Sequence, residues 1–131
     1  MSWPKDSADE TYDDKEAGAR LSAELPFWFV DDGHICRKYS TGGWKATLMV
    51  TNAIGHLAEA AFHHPDLSVS YALVVVKLKT HSAGAITEKD FALAAGIEAF
   101  IQWQPGAEEG PLEGPPEDPR YAYIKYDSPS G

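Results

Sequence analysis

The chain has 131 residues, 44% of them apolar, which predicts one globular domain with a single core. Its net charge of −9 falls mainly on residues 1–14 and 104–131, and without a basic patch we do not expect it to bind nucleic acid directly. A single cysteine excludes an internal disulfide, and neither a secretory layout nor an apolar run of about 18 residues is present, so we expect a cytoplasmic protein with no membrane span.

The N-terminal part predicts a loose segment followed by a helix. Residues 1–12 are polar and show no periodicity, so we expect them to be loose. From Asp14 to Leu25, apolar residues recur at helical spacing, and Pro26 ends the pattern. The central domain is therefore expected to begin at residue 13.

A hairpin and a long helix come next. Residues 27–30 are aromatic and β-branched, residues 34–39 alternate, and Asp31-Asp32-Gly33 between them has the composition of a hairpin turn. The apolar face of the following segment predicts a helix from Trp44 to Phe62, and Pro65 forbids its continuation.

The second half of the chain predicts a strand, a helix and a tail. Residues 69–80 alternate and are expected to form one long strand, and residues 87–103 are expected to form the last helix. Proline and glycine then mark an extended acidic tail over residues 104–131. The aromatic segment Tyr121–Tyr126 within it is expected to dock on the core or on a neighbouring subunit.

The order of elements is helix, strand, strand, helix, strand, helix. This order predicts an α+β fold, in which an antiparallel sheet carries its helices on one face. We assign this fold to residues 13–103, between the N-terminal segment and the tail.

Three of the five histidines, His63, His64 and His81, fall between Glu59 and Asp90. The first two stand where the long helix gives way to a strand, and the third stands where that strand ends. Because imidazole titrates near neutral pH, histidines at two element ends suit general acid–base chemistry on a small molecule.

Several of these side chains have a structural alternative. His63 and His64 could serve as caps at the end of the helix, where positive charge suits the helix dipole. Asp90 completes Thr87-Glu88-Lys89-Asp90, a capping-box pattern that would hold the loop carrying His81 without any substrate contact. Glu59, four residues before His63, could pair with that histidine or bind the substrate.

Tyr71, Trp28 and Cys36 are expected to have structural places. Ten residues of the predicted strand separate Tyr71 from His81, on the order of 33 Å if fully extended. One small-molecule site cannot use both, so we expect Tyr71 to be structural or at a subunit interface. Trp28 is expected in the core, and Cys36 is expected to be a buried thiol without chemistry.

The polar residues form the spaced pattern Glu-x3-His-His-Pro-x5-Tyr-x9-His-x8-Asp, which starts at Glu59 and ends at Asp90. This pattern resembles the signature of the pterin-4a-carbinolamine dehydratases, also called 4a-hydroxytetrahydrobiopterin dehydratases. The flanking segments are similar as well, over roughly residues 15–103: Leu25-Pro26-x-Trp28, Trp44, Thr80–Thr87 and Asp90-Phe91-x-Leu93-Ala94.

The resemblance implies a four-stranded sheet, and its fourth strand would require an interruption of the long run over residues 67–80. It also implies a homodimer or homotetramer, and a hydro-lyase that removes water from 4a-hydroxytetrahydropterin. The product would be quinonoid dihydropterin, returned for cofactor recycling. His63 and His81 are implied as acid–base residues, and His64 belongs to the same catalytic set and contacts the pterin. The remaining substrate contacts that the resemblance implies are Glu59, Pro65, Thr80, Ser82 and Asp90.

No cofactor is implied, because the pterin is the substrate. His56, Glu59 and His63 share a helical face and could be read as metal ligands, but the resembled family is metal-free and we expect no metal site.

Three residues depart from the family pattern: Phe62 and Ser82 stand where relatives carry acidic residues, and Ala72 stands where asparagine is common. Each could remove a hydrogen bond to the pterin, and none removes an acid–base histidine. The alternative function is a non-catalytic one, because the family also resembles a transcription-factor dimerisation cofactor and a Rubisco assembly factor. A protein partner as a second role therefore stays open.

Overall fold

Three α-helices pack on one face of an antiparallel sheet in the computed structural model, which describes residues 10–127. The helices are α1 Asp14–Glu24, α2 Trp44–Ala61 and α3 Glu88–Ile101, and two 3₁₀ turns, Pro105–Ala107 and Pro119–Tyr121, lie in the tail. This architecture confirms the predicted α+β fold class. None of the helices in the described part of the chain is long and apolar enough to cross a membrane.

The two shorter helices begin at side-chain caps. Asp13 accepts a hydrogen bond from the Glu16 backbone N–H, and the Glu16 carboxylate accepts one from the Asp13 N–H, which forms a capping box at α1. A second capping box joins Thr87 and Asp90 at α3, so this predicted feature is confirmed.

The strands of the main sheet are β2 Phe29–Asp31, β3 His34–Thr41, β4 Asp66–Ser70 and β5 Leu73–Leu78. They lie in the order β2, β3, β5, β4, and all neighbours are antiparallel. A small second sheet joins β1 Thr11–Tyr12 to β6 Ile86–Thr87.

The N-terminal prediction therefore needs a correction. Residues 1–9 of the expected loose segment lie outside the described range, but Thr11–Tyr12 is a strand. Contacts with α3 hold this strand in place: Tyr12 packs edge-on against Phe91, and the Tyr12 hydroxyl donates a hydrogen bond to Glu88.

One predicted hairpin forms, and a second hairpin replaces a predicted strand. Asp32 and Gly33 have φ values of 48° and 73°, and positive values at both central residues are those of a type I′ turn. The single strand predicted over residues 69–80 is wrong, because the chain reverses at Tyr71-Ala72 and β4 pairs with β5. This hairpin supplies the fourth strand of the sheet.

A buried charge network joins β3 to α3. Arg37 points from β3 towards the helices and is 2% exposed, and its guanidinium donates to both carboxylate oxygens of Glu98, at 2.9 and 3.0 Å. Tyr39 and Trp28 also donate to Glu98, at 2.6 and 3.0 Å, and Asp127 forms a further ion pair with Arg37. Trp28 is 3% exposed and belongs to the core, as expected.

The tail returns to the sheet through the segment Tyr121–Tyr126. Within it β7, Ile124–Lys125, pairs with the end of β3, and the Ile124 side chain is buried in the core. The backbones approach closely here, because a Cβ atom on Gly42 would lie 2.5 Å from the carbonyl oxygen of Ala122.

Candidate functional site

The end of α2 places the histidine pair. The helix stops at Ala61, one residue before the predicted end, because Phe62 adopts left-handed angles of φ 50° and ψ 46°. The Phe62 N–H donates to the Glu59 carbonyl and the His63 N–H to the Ala58 carbonyl, the two bonds of a Schellman motif. Glycine is the usual residue at the left-handed position, and a side chain there costs on the order of 1–2 kcal/mol.

A buried carboxylate, Asp90, connects the two segments that carry the histidines. Asp90 is completely buried, and its Oδ1 lies 2.7 Å from Nε2 of His63. Its Oδ2 accepts hydrogen bonds from the Thr80 hydroxyl at 2.8 Å and from the Thr87 backbone N–H at 2.9 Å. Because Thr80 immediately precedes His81, one carboxylate holds both the first histidine and the start of the loop bearing the third.

This bonding determines which nitrogen of His63 is available. The Asp90 carboxylate accepts at every other contact, so the Nε2–H of His63 donates to it. The Thr80 proton goes to Asp90, so the Thr87 hydroxyl donates to Thr80 at 2.7 Å. Nδ1 of His63 therefore remains available to other partners, while Asp90 holds the imidazole through Nε2.

Glu59 pairs with His64 and not with His63. Glu59 Oε1 lies 2.7 Å from His64 Nε2, and both side chains are exposed. The alternative in which Glu59 pairs with His63 does not form, because the left-handed residue between them ends the helix and turns His63 towards Asp90.

The remaining candidates lie around this pair. His81 and Ser82 are exposed in the turn that follows β5, and Pro65 is half-buried at the start of β4. Thr80 is buried, and its hydroxyl bonds to Asp90. The structure thus joins His63 and Thr80 through Asp90, and it leaves Glu59, His64, His81 and Ser82 exposed.

An apolar groove of about 700 Å³ opens beside His63, between the end of α2 and the start of α3. This volume suits a small bicyclic molecule. The apolar residues that line the groove include Leu57, Ala60, Ala61, Phe62, Ala92 and Leu93.

Glu88 also lines the groove. Arg20 and Tyr12 both donate to its Oε1. The hydrogen bond from Arg20 lowers the pKa of the Glu88 carboxyl, the Tyr12 bond adds to this, and burial opposes it. Its Oε1 is therefore occupied by partners within the protein, whereas its buried Oε2 has no hydrogen-bond partner among the described residues.

Residues 10–100 match the family model described as pterin 4 alpha carbinolamine dehydratase, a span that includes every candidate site residue. The chain belongs to the pterin-4a-carbinolamine dehydratase family. The resemblance of its histidine pattern is thereby confirmed, and the tail after residue 100 lies outside the family match.

Members of this family and their solved relatives carry more than one description. A protein of Aquifex aeolicus (strain VF5), described provisionally as a pterin-4-alpha-carbinolamine dehydratase, is 49% identical over 88 residues, which are 67% of this chain and 89% of that relative. The crystal structure of a transcriptional coactivator/pterin dehydratase from Brucella melitensis matches with a TM-score of 0.62 and 27% identity, over 69% of this chain and 97% of its own.

A third relative is a pterin dehydratase-like protein identified as a RuBisCO assembly factor in the alpha-carboxysome. Its TM-score is 0.47 and its identity 20%, over 57% of this chain and 87% of its own, and this likeness is too distant to bear on function.

Two of the three departures from the dehydratase pattern lie near the histidines. Phe62 immediately precedes the histidine pair, and Ser82 follows His81 on the exposed turn. Ala72 and its neighbour Tyr71 lie in the β4–β5 turn, at the opposite end of β5 from the site, on the order of 20 Å away. The Ala72 departure therefore does not reach the histidine pair.

The three side chains that share a helical face in the sequence, His56, Glu59 and His63, do not converge on one point. His56 is exposed on α2, Glu59 bonds to His64, and His63 bonds to Asp90. Within residues 10–127, no group of three or more His, Cys, Asp or Glu side chains is arranged to hold a metal ion. Cys36 is buried, as expected, and burial raises the pKa of its thiol.

Proposed function

We propose that this protein is a 4a-hydroxytetrahydrobiopterin dehydratase, which removes water from 4a-hydroxytetrahydropterin to give quinonoid dihydropterin. The observation that carries the proposal is the Asp90 carboxylate, which bonds to His63 and to Thr80 beside His81. It orients the imidazole of His63, which lines a groove of suitable size, and it anchors the loop that carries His81. Family membership supplies the reaction and the substrate.

The reaction needs two proton transfers. The bond between C4a and the hydroxyl oxygen breaks and the hydroxyl leaves as water, so an acid must supply a proton to it. A ring nitrogen next to C4a loses its proton as the carbon–nitrogen double bond forms. Positioned imidazoles suit both steps, and each such transfer typically contributes about 10²–10⁴-fold to the rate.

The residues take the following roles in this proposal. His63, through Nδ1, and His81 are the acid–base pair, and which of them is the acid is left open. His64 belongs to the catalytic set and, with Glu59, contacts the pterin ring. Asp90 positions His63 through a hydrogen bond, and Thr80, which is also bonded to Asp90, positions the neighbouring His81. Pro65 and Ser82 complete the substrate contacts.

The proposal includes no cofactor and no metal, because the dehydration changes no oxidation state and its proton transfers need only imidazoles. It also includes a cytoplasmic location and a homodimer or homotetramer. Light scattering would test the assembly, and activity after chelation and dialysis would test the metal.

The experiment that tests the proposal measures dehydration of synthetic 4a-hydroxytetrahydropterin by the wild type, His63→Ala and His81→Ala. We expect wild-type acceleration over buffer and a loss of at least about tenfold in each variant. His56→Ala is the matched control, since His56 is exposed on α2 and bonds to neither Asp90 nor Glu59.

A wild type that only equals the buffer rate would overturn the proposal. The search would then turn to a protein partner, the role that the word coactivator assigns to the Brucella relative.

A further inference from the structure

Phe62 is placed unfavourably for a residue with no role. It occupies the left-handed position of the Schellman motif, with φ 50°, where glycine or asparagine fits without strain. Its side chain is also 83% exposed, the largest exposed fraction among the large apolar side chains that the structure describes. Another residue would be more stable at this position, both in its backbone conformation and in the exposure of its side chain.

The Phe62 ring stands where the site meets the groove. It lines the groove together with His63, the residue that follows it. On its other side it packs against His64, with ring centroids 5.5 Å apart and planes at 80°. The edge contact with His64 fixes the orientation of the Phe62 ring and leaves most of its surface open to solvent.

We propose that Phe62 is a substrate-contacting residue, whose open face stacks on the conjugated part of the pterin at the entrance of the groove. This inference rests on the proposed function, because it takes the pterin as the ligand. Offset stacking and edge contacts are the arrangements that aromatic rings prefer, and the corner formed by Phe62 and His64 offers both to a flat bicyclic ligand. Bound pterin would cover the exposed apolar surface and offset the backbone strain.

The choice of residue has a consequence for specificity. Phe62 offers an uncharged, polarisable surface, so it holds the pterin by contact with the face of its conjugated part and not by a hydrogen bond to its edge. Binding through Phe62 should therefore depend on that conjugated part and little on the substituent that the pterin carries.

The experiment uses the full chain and three variants at this position. Phe62→Asn removes the ring and accepts left-handed angles well, Phe62→Leu keeps an apolar side chain without a ring, and Phe62→Trp restores a stacking face. Binding of 7,8-dihydrobiopterin is measured by calorimetry, turnover is measured separately, and thermal unfolding and light scattering are recorded for each variant.

We expect Phe62→Asn to bind dihydrobiopterin about tenfold more weakly, the size of one stacking contact, and its KM to rise by a similar factor with kcat within about twofold. Its melting temperature should stay the same or rise by up to about 4 °C, because the strain is relieved. Phe62→Leu should resemble Phe62→Asn in binding, and Phe62→Trp should bind like the wild type.

Several outcomes would overturn the inference. Equal binding by wild type and Phe62→Asn would show that the ring does not contact the pterin. A change of molecular mass in Phe62→Asn would assign the ring to an interface between copies of the chain. A wild type that binds no dihydrobiopterin would also reject it. Binding without turnover in the wild type, in contrast, would reject the dehydratase function and leave the stacking contact standing.

Discussion

Asp90, which is completely buried, and Glu98, which is partly buried, are two hydrogen-bonded carboxylates on the same helix with different roles. They are eight residues apart on α3, about 12 Å along its axis. Each accepts hydrogen bonds from at least three residues. The number of bonds does not distinguish them.

The difference lies in what the donors are. Glu98 is held by Arg37, a permanent cation, together with Tyr39 and Trp28, and none of these three side chains is more than 3% exposed. Asp90 is held by two threonines and by His63, which lines the open groove. The same chemical group thus stabilises the fold where its partners are enclosed, and orients a reactive group where one partner reaches the surface.

The largest effect on stability is expected for Glu98→Gln. This change keeps the shape of the side chain but leaves the buried Arg37 guanidinium short of negative charge, which should lower the free energy of unfolding by about 3 kcal/mol. Urea denaturation measures it, with the exposed Glu109→Gln as the control. Folded Glu98→Gln protein should keep most of the proposed dehydratase activity, and a loss of activity without a loss of stability would contradict the division between the two carboxylates.

Asp90→Asn should lower the activity more than the stability. The amide can still cap α3 at Thr87 but no longer provides a carboxylate for His63, so we expect kcat to fall by about 10²-fold, as for other residues that orient a ligand or a base. The free energy of unfolding should fall by only about 1 kcal/mol. Asp13→Asn, which changes the capping box of α1, is the matched control. If both Asn variants lose the same activity, the role of Asp90 is capping alone.

The pH dependence of stability sharpens the comparison on the side of Glu98. Burial raises the pKa of the Glu98 carboxyl, but the hydrogen bonds from Arg37, Tyr39 and Trp28 outweigh it and leave the pKa lowered. A lowered folded-state pKa stabilises the protein above the unfolded value of about 4.3, and this contribution disappears as the pH falls through the folded value.

We therefore expect the urea midpoint of the wild type to fall on acidification below about pH 4.5. Glu98→Gln should lose less on acidification, with Glu88 responsible for part of the remaining slope because its pKa is also lowered. Identical slopes in wild type and Glu98→Gln would show that Glu98 does not titrate differently on folding.

Elements with local chemical signals could be predicted from the sequence. The helical spacing of apolar residues and Pro26 define α1, and Asp32-Gly33 has the composition of the type I′ turn that forms. The β4–β5 turn was missed because Tyr71-Ala72 contains no residue that favours a turn, so two short strands read as one long one. Turns of this kind are determined by the pairing of the strands on either side.

The candidate site shows the same limit. The capping box of Asp90 was predictable because its partner lies three residues away, whereas its bond to His63 joins residues 27 apart and depends on the packing of α2 against α3. The pairing of Glu59 with His64 was not anticipated, because a phenylalanine at position 62 gives no signal of the left-handed turn that separates His63 from the helix. Arg37 had a usable signal, a charge at an inward position of an alternating strand, but its partner Glu98 is set by tertiary structure.

Gly42 links the domain to the tail in a way that can be followed in other sequences. Because no Cβ atom fits against the Ala122 carbonyl, the docked tail requires glycine at a position 80 residues upstream. The family match stops at residue 100, and a relative without such a tail has room for any side chain there. Glycine at this position should therefore be inherited together with the tail, so that an alignment alone would show which relatives carry the docked form.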